Sequence, residues 1–428
     1  MATTLISFLG VGRKHNPGNP RSRYEQTTYR FEPLPNTPAS PFTRTTSLFS
    51  LALLDYLTTV CQDTVERWII LGTNASLWSE LYQLLDPDQQ NRLEEEYIKI
   101  DDHVISKSVN HEILSHWEKI INQHVDNPKL SLHLIDPFQQ EQLADVLMRT
   151  VPRSSKVVLD ISHGFRHLPI LATHVLNLMR WTHDVRSISY YSGVSEARNC
   201  LDEAPVFHLS LCQDLMDLTE SLAVFRLTGN YQSLIRQLLN SQDKEQTAEL
   251  VWFLENTNQL SRARAHIQQL IDSLQQLPRG TPSFTSIVGT ELSDFLSSRH
   301  YDDEWFYTNA REALEHQNYL HAIILTYEAI LIRVYRLRFS NINTSRYEIR
   351  KQAEEYLYNY AHIDEDQRNL FRQLQWIRNA CTHGTRPDKY DPVVEAALAD
   401  PNQFCRLIRL GWKFYRDLPQ LLSRSAGN

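Results

Sequence analysis

The chain has 428 residues, enough for two or three domains that each bury their own core. Its 43 basic and 51 acidic residues leave a net charge of −8, which is not the bulk electropositivity of a nonspecific nucleic-acid binder. The basic residues are 33 Arg to 10 Lys, a skew toward planar recognition of phosphate, stacking and ion pairs.

Leu5 to Leu9 is a short apolar run that reads as a buried first strand, closed by a glycine loop carrying Gly10, Gly12, Arg13 and Lys14. An extended stretch of Tyr and Thr runs from Arg23 to Phe31, and Pro33, Pro35, Pro38 and Pro41 then make a loop. The first helix is expected from Thr46 or Ser47 through Val60. Trp68 to Leu71 is the next strand and ends in Gly72, Thr73, Asn74, Ala75 and Ser76. Helical stretches cover 76–125, a strand Leu130 to Ile135, and a helix 138–150. Lys156 to Ile161 is a strand whose end reads Ser162-His163-Gly164-Phe165-Arg166-His167, followed by a helix through Met179. Val185 to Tyr191 and Pro205 to Leu209 complete the strands.

After residue 210 the pattern becomes helical: 211–228, 231–275, 284–298, 303–315, 318–339, 345–360, 364–383 and 402–422. A Pro/Gly-rich break at Leu277 to Pro282 divides it. The expected organisation is an α/β Rossmann-like domain over 1–210, a helical connector over 211–282 and an all-α domain over 283–428. Strands alternating with helices imply a mostly parallel sheet, whose ligands bind at the carboxyl ends of its strands. Neither a signal peptide nor a membrane span is expected: the N-terminus lacks a basic n-region, and no apolar run nears about 18 residues. Five scattered cysteines without metal-type spacing fit a reduced, cytoplasmic compartment.

Three strand-end loops carry binding chemistry: Gly10 to Lys14, Gly72 to Ser76, and Ser162 to Arg166. The first lacks a third glycine and a following helix, which excludes the standard dinucleotide fingerprint. Its Arg13 and Lys14, with Arg21 and Arg23 against only Glu25, form a local basic patch, either a solvated surface loop or a site for a polyanion. The third opens a helix, whose N-terminal amides attract anions, and Gly164 lets backbone approach a ligand closely. His111-Glu112 with His116 misses the zinc-protease spacing, and no cluster of metal ligands or resident cofactor site stands out.

The helix over 364–383 ends in Arg378-Asn379-Ala380-Cys381-Thr382-His383-Gly384. An imidazole in a last helical turn can exchange protons near neutral pH, and a guanidinium can hold a phosphate. Together they suit RNA cleavage without a metal, His383 moving protons and Arg378 stabilising charge on phosphorus. The spacing recurs at Arg311 and His316, where Glu312 and Glu315 point to a solvated charged face. In the last helix Arg406, Arg409, Lys413 and Arg416 form a basic stripe, either a solvated face or a track for an RNA backbone.

Arg378-Asn379-x-x-x-His383 at a helix end resembles the HEPN ribonuclease motif. Ser7 to Gly10, Tyr24 to Phe31, Leu71 to Ser76, Asp160 to Pro169 and Tyr190 to Gly193 resemble a CARF domain, the Rossmann-like sensor of CRISPR-associated accessory proteins. In this order the two resemble the CARF–HEPN ribonucleases of type III systems. The resemblance implies that a cyclic oligoadenylate activates a homodimer or higher oligomer, which cleaves single-stranded RNA at a composite site. By the same likeness Arg378 and His383 match the nuclease motif, Asn379 is its companion, and the loops after the first strand and after Ile161 match the ligand loops. Two further readings stand beside it: a non-catalytic sensor in which Arg378 and His383 cap a helix, and a ring nuclease that degrades its ligand through Ser162, His163 and Arg166.

Overall fold

The computed structural model describes residues 2–12, 24–33, 40–257, 259–278, 281–297, 302–339, 347–360, 363–385 and 390–423. The chain folds as two compact units, 1–215 and 216–428. In chain order the first contains β1 (Thr3–Leu9), β2 (Thr27–Phe31), β3 (Phe42–Thr46), α1 (Phe49–Thr59) and β4 (Val65–Gly72). A 3-10 turn at Trp78–Leu84 leads to α2 (Pro87–Arg92), α3 (Glu94–Ile105), α4 (His111–His124) and β5 (Lys129–Leu134). Then come α5 (Gln140–Thr150), β6 (Lys156–Asp160), α6 (His167–Thr182), β7 (Ser187–Gly193) and β8 (Glu203–His208).

These strands form one eight-stranded sheet in the order β3-β2-β8-β7-β6-β1-β4-β5. Its centre, β7-β6-β1-β4-β5, is parallel throughout. All seven residues of β1 are buried, as an unbroken apolar strand covered on both faces requires. From β1 the chain builds β4 and β5 on one side, then returns to place β6 and β7 on the other. The strand order therefore reverses between β1 and β6, and the crevice for a ligand lies beyond their carboxyl ends. β8 runs antiparallel to β7, and the β2–β3 hairpin joins beyond it.

The second fold expectation, a helical region after the sheet, also holds. Its helices are α7 (Ser210–Thr228), α8 (Gln232–Leu239), α9 (Gln242–Asn256), α10 (Leu260–Gln275), α11 (Ser283–Ser297) and α12 (Asp302–Glu315). They continue with α13 (Tyr319–Phe339), α14 (Tyr347–Asn359), α15 (Glu365–His383), α16 (Pro392–Ala399) and α17 (Pro401–Ser423). One apolar core runs from Leu218 to Leu422, so 211–282, expected as a connector, shares its core with the helices from α11 onward. At the centre of that core α13 is buried on every side, from Ala322 to Tyr335. Gly411 lets α17 approach closely: a Cβ there would stand 2.9 Å from Leu374 and 3.1 Å from Thr326.

Two local expectations change, and one helix is added. The first helix starts at Phe49, not Thr46, because the β-branched run at 42–46 is a strand paired with β2. The stretch 231–275 is three helices, broken at Asn240, which adopts the left-handed conformation (φ 43°), and at Thr257. The short helix α16 had no expectation, although Pro392 occupies its first turn and the Asp391 carboxylate accepts from the amides of Val393 (2.9 Å) and Val394 (3.1 Å).

Candidate functional sites at the sheet switch point and on the penultimate long helix

At the switch point the end of β1 and the loop after β6 touch. A Cβ on Gly10 would lie 3.5 Å from His163 Cβ and 3.6 Å from the Gly164 nitrogen. Gly164 has φ +89°, and a Cβ there would lie 2.9 Å from Phe8 Cβ, so both conformation and space demand glycine. Gly12 is held equally tightly, by Leu77 and Tyr24. The β6 loop is fastened from below. Asp160, fully buried, accepts the Ser162 amide at 2.8 Å, and the Ser162 hydroxyl accepts the Gly193 amide at 2.7 Å. Burial pushes the Asp160 carboxyl up to about 7, and its second oxygen has no hydrogen-bond partner among the described residues. His163 is also shifted by burial, downward, with Glu196 opposing, and its Nε2 has no partner among the described residues. Phe165 and Arg166 stand exposed where the chain enters α6.

The loop after β4 is built differently. Gly72 and Ser76 are buried. The Ser76 hydroxyl donates to Leu9 O at 2.7 Å and accepts the Thr73 amide at 2.8 Å. Leu77 N–H donates to Gly10 O at 3.1 Å, and Asn74 Nδ2 donates to Lys107 O at 2.9 Å. Ser76 and Leu77 brace the end of β1, and of this loop only Leu77 also borders the cavity described next. Arg13 and Lys14 lie outside the described residues.

A cavity of about 470 Å³ opens beside Gly10, Gly12 and His163. Its other walls include Tyr24, Tyr29, Glu196 and Arg198, none of them expected from sequence. Arg198 is steadied by Asp202 (3.0 Å) and the Thr27 hydroxyl (3.1 Å). Tyr24 donates to the buried carboxylate of Asp101 at 3.2 Å. An aromatic and mixed-charge pocket next to close-approach glycines can receive a ligand with a planar part and an anionic part.

In the helical unit, α15 is capped by Asp364 and ends at Gly384, whose φ of +64° and N–H to Ala380 O (2.8 Å) stop the helix. His383 is exposed in the last turn, while Arg378 and Asn379 are half-buried. Arg378 Cζ lies 4.5 Å from the centroid of the Tyr327 ring on α13, and its Nε is buried without a hydrogen-bond partner among the described residues. The fold brings Glu328 of α13 within electrostatic reach of Arg378. Burial raises the Glu328 carboxyl, and Arg350, its ion-pair partner at 3.2 Å, and Arg378 draw it back down. Five residues at about 100° each separate Arg378 and His383 by about 140° around the axis, so one α15 does not turn them to the same face.

Arg406, Arg409, Lys413 and Arg416 are all exposed along α17, opposite its buried face of Phe404, Leu407, Ile408, Phe414 and Leu418. His316 is tied down: its Nε2 donates to Arg226 O at 3.1 Å, closing the end of α7. Among the described residues no group of His, Cys, Asp and Glu is arranged to hold a metal ion. No helix there is long and apolar enough to cross a membrane.

The switch-point crevice defines the first unit as a Rossmann-like ligand-binding domain, joined in one chain to a helical unit. Residues 4–193 match the family described as CRISPR system endoribonuclease Csx1, CARF domain. The first unit is thus similar to the CARF domain of type III CRISPR accessory proteins. It is 25% identical over 423 residues to the CRISPR-associated protein MJ1674 of Methanocaldococcus jannaschii, covering 91% of this chain and 63% of that protein. Thus the chain spans less than two thirds of that relative's length. The solved structure of Enterococcus italicus Csm6 bound to cyclic hexa-2′-fluoro-hexa-dAMP aligns over 98% of this chain and 93% of that one. Its TM-score is 0.39 at 10% identity, a likeness too loose to carry an argument.

Proposed function

We propose that the protein is an endoribonuclease activated by a cyclic oligoadenylate, that it cleaves single-stranded RNA without a metal, and that its helical unit is a HEPN domain acting as a homodimer. The observation that carries this reading is Arg378, a half-buried cation on an aromatic face with its Nε unpartnered among the described residues, just over a turn before an exposed histidine. Such a cation is prepared for a phosphate. Because about 140° separates Arg378 from His383, the reading requires a second copy, with the two α15 helices meeting across a two-fold axis.

In that site His383 takes the proton of the 2′-hydroxyl, the 2′-oxygen attacks phosphorus, and the 5′-oxygen leaves with a proton from the partner's imidazole. Arg378 holds the non-bridging oxygens as charge builds, and Asn379 offers a further donor. The exposed stripe of Arg406, Arg409, Lys413 and Arg416 tracks the RNA backbone. The CARF match supports the activator. Its phosphates would lie on the backbone at Gly10 and Gly164, with Arg166, Arg13 and Lys14 as cations and its bases toward Tyr24 and Tyr29.

RNA cleavage with and without cyclic tetra- and hexa-adenylate, in EDTA, tests this. His383→Ala should lower the rate by roughly 10² to 10⁴, the usual loss for a general acid–base group, and products should carry a 2′,3′-cyclic phosphate. Cleavage of RNA lacking 2′-hydroxyls, or full activity in His383→Ala, would refute it. A second reading, cleavage of the bound activator by the CARF domain, is favoured by the Nε2 of His163 beside Ser162, an atom with no partner among the described residues. Product analysis of labelled cyclic oligoadenylate distinguishes it.

A further inference from the structure

Arg378 turns inward from α15 onto α13, and the group it meets there is a ring. Tyr327 and Phe371 are each 1% exposed and stack with centroids 5.1 Å apart and planes 11° apart. Tyr358 of α14 packs on Phe371 at 5.5 Å. The Tyr327 ring is therefore fixed by its neighbours, and the guanidinium carbon stands 4.5 Å from its centroid. The phenol oxygen is buried without a hydrogen bond of normal geometry among the described residues; Arg378 lies near enough to it to draw its pKa down against burial, but the close contact with the guanidinium is through the ring face. Burial raises the phenol's pKa, which keeps the ring neutral.

The alternative holder is one residue further along α13. Glu328 carries a carboxylate, but Arg350 pairs with it at 3.2 Å, and Arg378 forms no ion pair among the described residues. The difference matters chemically. A paired carboxylate would neutralise the charge that a phosphate has to meet, whereas a ring face steadies a cation and leaves its charge and N–H donors uncommitted.

We propose that Tyr327 is the positioning residue of Arg378, its Phe371-stacked ring holding the guanidinium in the orientation that receives the scissile phosphate, with Arg350 keeping Glu328 from competing. The role rests on the nuclease reading proposed for α15. It is tested in the full-length chain by comparing wild type, Tyr327→Phe, Tyr327→Leu and Arg378→Ala. Tyr327→Phe keeps the face and removes only the phenol hydroxyl, so it should cleave RNA at the wild-type rate. Tyr327→Leu should lose roughly three- to thirtyfold, the range of a partly desolvated cation–ring contact, in kcat and kcat/KM alike with KM unchanged. A merely structural role for the ring would lower the folded fraction and so mimic this pattern, but the loss would then vanish once rates are normalised to folded protein, measured by urea unfolding.

A second measurement needs no activity: modification of Arg378 by phenylglyoxal, followed by peptide mass spectrometry. It should be severalfold faster in Tyr327→Leu than in wild type or Tyr327→Phe. Equal modification of Arg378 in all three chains overturns the proposal. So does loss of cleavage in Arg378→Ala while a folded Tyr327→Leu keeps the full rate, which leaves the nuclease reading standing. Wild-type protein that cleaves no RNA under any activator overturns the nuclease reading and this role together.

Discussion

Replacing Asp160 with asparagine should change how stability depends on pH. Asp160 is fully buried at the end of β6, with one oxygen bonded to the Ser162 amide at 2.8 Å and the other unpartnered among the described residues. Burial raises its carboxyl from the ordinary 3.8 to about 7. An acid whose folded pKa exceeds its unfolded one holds its proton more tightly in the folded chain. Stability from this group is therefore fully present below about pH 4, falls as pH rises, and is gone above about pH 7. Three powers of ten in the acid constant, at about 1.4 kcal/mol each, amount to roughly 4 kcal/mol. Asparagine stays neutral and still accepts from Ser162. Asp160→Asn should thus gain on wild type by roughly 2–3 kcal/mol between about pH 5 and pH 8. His163 acts in the opposite sense, its pKa lowered by burial so that stability is lost as pH falls, but it is common to both chains and cancels. Urea unfolding of both chains at several pH values reads the difference directly. A difference that stays constant across that range would refute the reasoning.

Gly164→Ala places a Cβ at φ +89° and 2.9 Å from Phe8, and should cost about 1–3 kcal/mol in urea unfolding; an unchanged midpoint would show that the loop yields freely. Arg166→Ala removes an exposed cation at the start of α6 and should weaken binding of a cyclic oligoadenylate roughly tenfold to over a hundredfold by calorimetry. Equal affinity would place the phosphates elsewhere. His316→Ala, which shares the Arg-x4-His spacing, should leave RNA cleavage intact while losing its bond to Arg226 O, lowering stability by about 1 kcal/mol. Loss of cleavage in a folded His316→Ala chain would overturn the choice of Arg378 and His383.

The sheet was legible because its central strands are covered on both faces and read as unbroken apolar runs; Ile69 and Ile70 are both fully buried although neighbours in sequence point to opposite faces. β3 was hidden by the prolines before it, which read as loop. At the site, small residues at strand ends were informative in one case and misleading in another. Gly164 packs against Phe8 and Gly10 beside the cavity-lining His163, but Gly72 has Trp78 and Ser76 pressed against it, and the Ser76 hydroxyl is bonded to the end of β1. Tyr24, Glu196 and Arg198 could not be found by spacing, since the cavity joins segments more than a hundred and fifty residues apart. The placement of Arg378 on the Tyr327 ring and within electrostatic reach of Glu328 is equally nonlocal. Only its helix, its cap at Asp364 and its stop at Gly384 are written in adjacent residues.

The clasp formed by Ser76 and Leu77 has a consequence for how such a site can diversify. Their bonds to Leu9 O and Gly10 O occupy the groups that the β4 loop could otherwise turn toward a ligand. A change there alters the scaffold before it alters recognition. The segments at 162–166 and 195–198 carry no such obligation in Phe165, Arg166 and Glu196, whose side chains are exposed or half-exposed. A shift from one ligand to another is therefore most readily accommodated on the β6 and β7 side of the crevice, and a library aimed at new specificity should be drawn there and leave 72–77 untouched.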